Sequence, residues 1–145
     1  MEKEKEKNKV LQLVGFKLGK EEFGIDILIV LEIIRMINIT EMPNAPEFVE
    51  GIVNLRGKII PVINLRKKLD LPATDYNDRT RIIVINVKGK NVGFVVDEVS
   101  EVLRVESQIT EPPPDIVSGI KSEYISGIVK LEDRLLILLD IETLM

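Results

Sequence analysis

One stretch of this chain is written twice. Glu47-Phe48-Val49-Glu50-Gly51-Ile52-Val53-Asn54-Leu55-Arg56-Gly57 returns as Glu123-Tyr124-Ile125-Ser126-Gly127-Ile128-Val129-Lys130-Leu131-Glu132-Asp133, 76 positions later. The match runs on through Lys58-Ile59-Ile60 against Arg134-Leu135-Leu136, and ends with Asn64-Leu65 against Asp140-Ile141. Upstream, Gly24, Val30, Glu32 and Arg35 find Gly93, Val99, Glu101 and Arg104 at an offset of 69. Ile39-Thr40-Glu41-x-Pro43 finds Ile109-Thr110-Glu111-x-Pro113 at an offset of 70. The drift in offset places insertions in loops, where they are tolerated. A unit this long is not a short solenoid repeat. It implies two copies of one small domain, over residues 10–71 and 81–145, with a polar connector at 72–80. What the copies share is what the fold requires, so their differences point to function.

Composition removes several classes of function. The 145 residues include no Cys and no His. Disulfide and thiol redox chemistry is therefore absent, and so are the commonest general base and the commonest metal ligand. The net charge of −4 argues against a nucleic-acid partner held through its phosphates. No apolar run approaches the ~20 residues that span a bilayer, so no direct membrane insertion is expected. Met1–Lys9 alternates Glu and Lys without an apolar signal core, and reads as a flexible, solvated tail.

Val and Ile dominate the chain, and the patterning predicts mainly β structure. Val10–Leu18 reads as a strand, with Glu22–Ile27 returning after a turn. Ile27–Ile34 is so continuously apolar that a strand and a short helix fit equally well. The turn Pro43-Asn44-Ala45-Pro46 leads into an expected helical turn over Glu47–Glu50, with Pro46 at its first position. Gly51–Leu55 and Ile59–Ile63 form the clearest hairpin, its tip relying on the positive φ that Gly57 permits. Pro61 cannot donate to a ladder, which predicts an edge or bulged strand there. Asn64 and Asp140 are placed to cap short helices over Leu65–Leu69 and Ile141–Met145. In the second copy, Arg81–Val87 and Val92–Val96 flank the Gly89-Lys90 turn. Glu111-Pro112-Pro113-Pro114-Asp115 reads as a stiff loop, and Tyr124–Leu131 with Arg134–Leu139 as the final hairpin. About five short strands per copy suggest a small barrel.

The copies diverge in two places. The first hairpin tip reads Asn54-Leu55-Arg56-Gly57, its counterpart Lys130-Leu131-Glu132-Asp133. Any charge suits a solvated tip, but an arginine on a rigid tip can also grip a partner's carboxylate or backbone with two parallel hydrogen bonds. Ile27-Leu28-Ile29-Val30-Leu31 is greasier than Val95-Val96-Asp97-Glu98-Val99. A strand buried on both faces is the ordinary explanation, and an exposed groove for a partner helix the functional one. Asp26, Glu32, Asp97, Glu101 and Asp140 are the acid–base candidates for an enzyme. Most of them recur in both copies, which favours caps and turns. No phosphate loop, nucleophile elbow or metal-ligand spacing accompanies them. A small-ligand binding barrel is the third possibility.

The stretch from Pro43 to Leu65, centred on Gly51-Ile52-Val53-Asn54-Leu55-Arg56-Gly57, resembles the CheW family of chemotaxis coupling proteins. Val95–Val99, Glu111-Pro112-Pro113-Pro114 and Gly127–Asp140 fit the same family, so the resemblance covers nearly the whole chain after the tail. The same module forms the regulatory end of the kinase CheA and the front of CheV-type proteins. No kinase or receiver segment accompanies it here, so a free-standing coupling protein is expected. The resemblance implies two intertwined five-stranded SH3-like β-barrels with short helices. It implies a non-catalytic adaptor without cofactor or metal, cytoplasmic and recruited to membrane-associated receptor arrays. Its partners would be the regulatory domain of the CheA histidine kinase and the cytoplasmic tip of methyl-accepting chemoreceptors. By motif match, Val30, Glu32, Gly51, Asn54 and Arg56 would meet the receptor. Ile37, Ile39, Thr40 and Met42 would lie near the kinase. The chain departs from the family pattern in being more apolar at Leu28, Ile29 and Leu31.

Overall fold

The computed structural model describes residues 10–106, 109–110 and 120–145. The Met1–Lys9 tail and the Glu111–Asp115 loop lie outside the described residues. In chain order the strands are β1 (Val10–Leu18), β2 (Glu21–Asp26), β3 (Val30–Arg35), β4 (Val49–Leu55), β5 (Lys58–Asn64), β6 (Arg81–Val87), β7 (Lys90–Val96), β8 (Glu98–Glu106), β9 (Ile109–Thr110), β10 (Ile125–Lys130) and β11 (Leu135–Leu139). Helix α1 spans Leu65–Lys68 and α2 spans Ile141–Leu144, with 3₁₀ turns at Ile27–Ile29 and Ser122–Tyr124. The ambiguous stretch after Asp26 thus divides into a turn and a strand. The Asp26 carboxylate accepts the Leu28 N–H at 2.9 Å and starts the turn.

The chain folds as two compact units, one over Ile29–Val99 and one made of the segments on either side of it. In the first, the strand order is β3-β6-β7-β5-β4; in the second it is β8-β1-β2-β11-β10-β9. Each unit therefore takes two strands from the other copy, β6 and β7 in one and β1 and β2 in the other. This is the intertwined pair of five-stranded barrels that was expected, with the two-residue β9 as a sixth strand in the second unit where the first has only the single bridge of Thr40 to Ile52. The duplication holds at single-residue register. Val62 pairs in parallel with Gly93, and its counterpart Leu138 pairs in parallel with Gly24. A bulge falls between Val49 and Gly51, and again between Ile125 and Gly127.

The same positions build both cores. Val53, Ile60, Val62 and Ile82 are buried together in the first unit, with Ile34 and Leu55 packed against them. Val129, Leu136, Leu138 and Leu13 do this in the second, with Leu103 and Leu131. Burying an aliphatic side chain of this size contributes about 1.5–3 kcal/mol. Both predicted caps form. Asn64 accepts the Lys67 N–H at 3.2 Å, and Asp140 accepts that of Thr143 at 3.3 Å.

Two local expectations are overturned. Pro61 is not on an edge, because β5 lies between β4 and β7, and the bulge of this hairpin is on β4. Pro61 sits opposite Ile52, whose N–H and C=O both turn the other way, to Thr40 at 2.9 Å. The pair therefore needs no donor from Pro61, and pairing of β5 with β7 begins only at Val62. The helical turn over Glu47–Glu50 is a single tight turn instead, closed by the Val49 N–H on the Pro46 carbonyl at 2.9 Å. Strand β4 begins at Val49 and claims the rest of that segment.

Candidate docking surface

The β4–β5 hairpin ends in Leu55 opposite Lys58, with Arg56 at φ 51° and Gly57 at φ 83° between them. Positive φ at both central residues is the type I′ turn, whose twist matches that of the flanking strands. The Asn54 side chain accepts the Gly57 N–H at 3.0 Å and ties the tip down. Arg56, a non-glycine residue held in the left-handed region, therefore projects in a fixed direction. Its guanidinium makes an ion pair with Glu32 on β3, leaving 72% of the Arg56 side chain exposed against 26% for Glu32. The hydrogen bond that Arg56 donates to Glu32, and then the Glu32 charge, raise the pKa of Arg56. The tip carries a permanent cation.

Next to Glu32 in sequence lies an exposed apolar face. Leu28 is 87% exposed and Leu31 55%, while Ile33 and Ile59 are also exposed. Strand β3 alternates, with Leu31, Ile33 and Arg35 outward and Val30, Glu32 and Ile34 half-buried. A strand buried on both faces, the ordinary reading of this greasy stretch, is thereby excluded. Of the three apolar departures from the family pattern, Leu28 and Leu31 face outward and Ile29 is half-buried.

Val30, Glu32, Asn54 and Arg56 are on the strand β3 and the hairpin tip, and the Glu32–Arg56 pair joins the two. Gly51 is different. It is buried, with φ at 149°, and a Cβ added to it would lie 2.1 Å from the Thr40 carbonyl oxygen. Thr40 crosses β4 at this point, exchanging two backbone hydrogen bonds of 2.9 Å with Ile52. The segment from Ile37 to Met42 splits accordingly. Ile39 packs against the core of its unit, whereas Ile37 and Met42 are exposed.

The acid–base candidates all have structural partners. Asp26 and Asp140 cap turns, Glu32 binds Arg56, Asp97 binds Arg66 and Glu101 binds Arg134 at 2.7 Å. Residue types alone do not reveal a polar cluster where the connector meets β4 and α1. Asn64 donates to Glu50 at 3.0 Å and to the Tyr76 hydroxyl at 3.4 Å, and Lys67 pairs with Glu50 at 3.2 Å. Burial alone would raise the pKa of Glu50, but the hydrogen bonds from Asn64 and Lys67 outweigh it and hold the carboxyl below its ordinary value. Burial, then the Glu50 charge, push Tyr76 up to about 12. Beside this cluster is a cavity of about 250 Å³ bordered by Asn64, Arg66, Tyr76, Thr80 and Asp97. That is under the ~300 Å³ where pockets for small molecules begin, and its Arg66 and Asp97 are spent on each other. Among the described residues, no cluster of three or more His, Cys, Asp or Glu is placed to hold a metal ion. Nor is any helix among them long and apolar enough to cross a membrane.

Comparison with known proteins follows the same outline. Residues 12–145 match a family model described as the CheW-like domain. The chain is 43% identical over 130 residues to the chemotaxis protein CheW of Klebsiella aerogenes, a match covering 90% of this chain and 78% of that protein. It is 39% identical over 137 residues to the chemotaxis protein CheW of Treponema pallidum, covering 92% and 81%. The crystal structure of the scaffolding protein TtCheW from Thermoanaerobacter tengcongensis superposes with a TM-score of 0.85 at 38% identity, over 91% of this chain and 90% of that one.

Proposed function

This chain belongs to the CheW-like domain family of chemotaxis proteins, and on that premise we propose that it is a non-catalytic adaptor coupling the CheA histidine kinase to methyl-accepting chemoreceptors. The observation that carries the proposal is the rigid type I′ tip presenting Arg56, paired with Glu32 and next to an exposed apolar strand face. A coiled coil is built of amphipathic helices whose apolar positions are flanked by charged ones, often Glu or Lys. Leu28, Leu31 and Ile33 would meet such apolar positions, as amphipathic helices meet apolar grooves elsewhere. Arg56 would meet a carboxylate at its side. Val30, Glu32 and Asn54 shape the same surface. Ile37 and Met42, with the exposed Thr40, would form the face for the kinase's regulatory domain, while Ile39 anchors that segment from below. An adaptor of this kind needs no membrane segment of its own. It would reach receptor arrays through its partners.

Calorimetry with two ligands tests the reading: the isolated regulatory domain of CheA, and a soluble coiled coil carrying a receptor's cytoplasmic tip. Saturable binding to both is expected. Met42→Glu should weaken the first and spare the second. Binding to neither would remove the adaptor reading.

A further inference from the structure

We propose that Gly51 is a positioning residue for the kinase-facing segment and makes no contact with the receptor. The inference rests on the adaptor reading above, but its evidence is separate. Gly51 belongs by motif to the receptor set, yet it is buried, and the backbone of Thr40 lies directly over it. An ideal Cβ on Gly51 would stand 2.1 Å from the Thr40 carbonyl oxygen, 2.7 Å from its carbonyl carbon and 2.8 Å from the Ile39 methyl. Two of these three neighbours are backbone atoms and cannot rotate away. The φ of 149° is itself a conformation that side chains with a Cβ rarely adopt. The bulge at Val49/Gly51 turns the Ile52 N–H and C=O outward to Thr40. Gly51 thus lets residues 39 and 40 strap across β4. The strap holds the half-buried Ile39 against the core and leaves Ile37 and Met42 exposed on either side.

The second copy supports the positioning role. Thr110 pairs with Ile128 there, as Thr40 pairs with Ile52, and the bulge at Gly127 recurs. A strap that both copies keep belongs to the scaffold. What the first copy adds is the apolar pair displayed on it. Any effect of Gly51 on signalling would therefore travel through residues 37–42 to the kinase face.

Three measurements on the full chain test this: amide hydrogen exchange at Thr40 and Ile52, affinity for the CheA regulatory domain, and affinity for the receptor-tip coiled coil. In Gly51→Ala the two amides should lose protection. Kinase-domain affinity should fall roughly tenfold or more, with receptor-tip affinity within about twofold of the original. Val53→Ala, which weakens the same strand from the core, should not change the ratio of the two affinities. If Gly51→Ala proves too unstable to handle, Ile52→Pro deletes the strap hydrogen bond that the Ile52 N–H donates to the Thr40 carbonyl, without adding an atom at Gly51 or changing an exposed kinase-facing side chain. Loss of kinase-domain affinity alone then supports the assignment. Unchanged kinase-domain affinity, or a loss confined to the receptor tip, overturns it. An original chain that binds neither ligand indicts the adaptor reading instead, and protected Thr40 and Ile52 amides in that chain still support the strap.

Discussion

The two hairpins produced by the duplication, β4–β5 and β10–β11, use an arginine in opposite ways. Arg56 stands at its tip in the left-handed region and touches one carboxylate, Glu32, with 72% of its side chain exposed. Arg134 stands just past its tip, where the first copy has Lys58. It binds Glu22 at 2.7 Å, Glu101 at 2.7 Å and Asp133 at 3.6 Å, and is 37% exposed. Glu101 is the counterpart of Glu32, so the carboxylate on the neighbouring strand is common to both copies. The second unit adds Glu22, on the β2 it takes from the other copy, and Asp133, and surrounds its arginine. A guanidinium has five donors in a fixed fork. Three carboxylates consume that fork, whereas one leaves most of it for a partner. The fold tolerates both arrangements, but only the first presents a cation to the outside.

The contrast between the units extends into their cores, where it is open to larger perturbations. Phe16 and Phe23 face each other across β1 and β2 with rings stacked at 5.6 Å. Their counterparts across β6 and β7 are Ile85 and Val92. Phe23→Ala should cost about 3–5 kcal/mol, and Val92→Ala about 2 kcal/mol, read from urea denaturation midpoints. Equal losses would show that the aromatic pair gives its unit no special packing. A smaller difference is expected at the paired glycines. A Cβ at Gly93 would lie 2.7 Å from the Ile82 Cγ2, and one at Gly24 3.0 Å from the Leu136 Cδ2. The isoleucine is branched at Cβ and stiff, while the leucine methyl has room to rotate. Gly93→Ala should cost about 1–3 kcal/mol and Gly24→Ala less, in the same assay. The reverse order would break the correspondence between the two barrels.

Much of this was legible in the residues. The repeat assigned counterparts that the structure confirms at register, from Val62 and Leu138 to the caps Asn64 and Asp140. Gly57 marked its turn because a two-residue hairpin needs positive φ. What was not legible depended on contacts between distant segments. Pro61 looked like an edge residue because no local rule shows that Ile52 turns its polar groups to Thr40. Ile39 and Met42 look alike in sequence, and only the strap over Gly51 packs one against the core and leaves the other at the surface. The apolar run from Ile27 to Leu31 does not reveal from composition which side chains stay outside. The exchange of β6 and β7 for β1 and β2 was implied by the family resemblance, not by periodicity, since parallel pairing of β5 with β7 leaves no local mark.

The connector yields the smallest expected effect, and one confined to a single unit. Tyr76 is raised to about 12 by burial and by the Glu50 charge, from an unfolded value of about 10. The folded state holds this proton more tightly than the unfolded state does. Its contribution is complete below pH ~10 and is lost as the pH rises toward 12. Tyr76→Phe should lack this alkaline loss, seen as a difference between the two melting profiles across that window. Glu50, held below its ordinary value, acts at the other limb. Its contribution is present above pH ~4.5 and fades as acid protonates it in the folded state. Identical alkaline profiles for the original chain and Tyr76→Phe would detach the connector from Glu50.

The division of labour between the two arginines is tested most directly by measuring how Arg56→Ala and Arg134→Ala bind the receptor-tip coiled coil. Arg56→Ala should lose roughly tenfold or more in affinity with its melting midpoint almost unchanged. Arg134→Ala should keep affinity within about twofold and instead lower the melting midpoint, because Glu22, Glu101 and Asp133 are left facing one another. Equal losses of affinity from the two substitutions, or a greater loss from Arg134→Ala, would contradict the account.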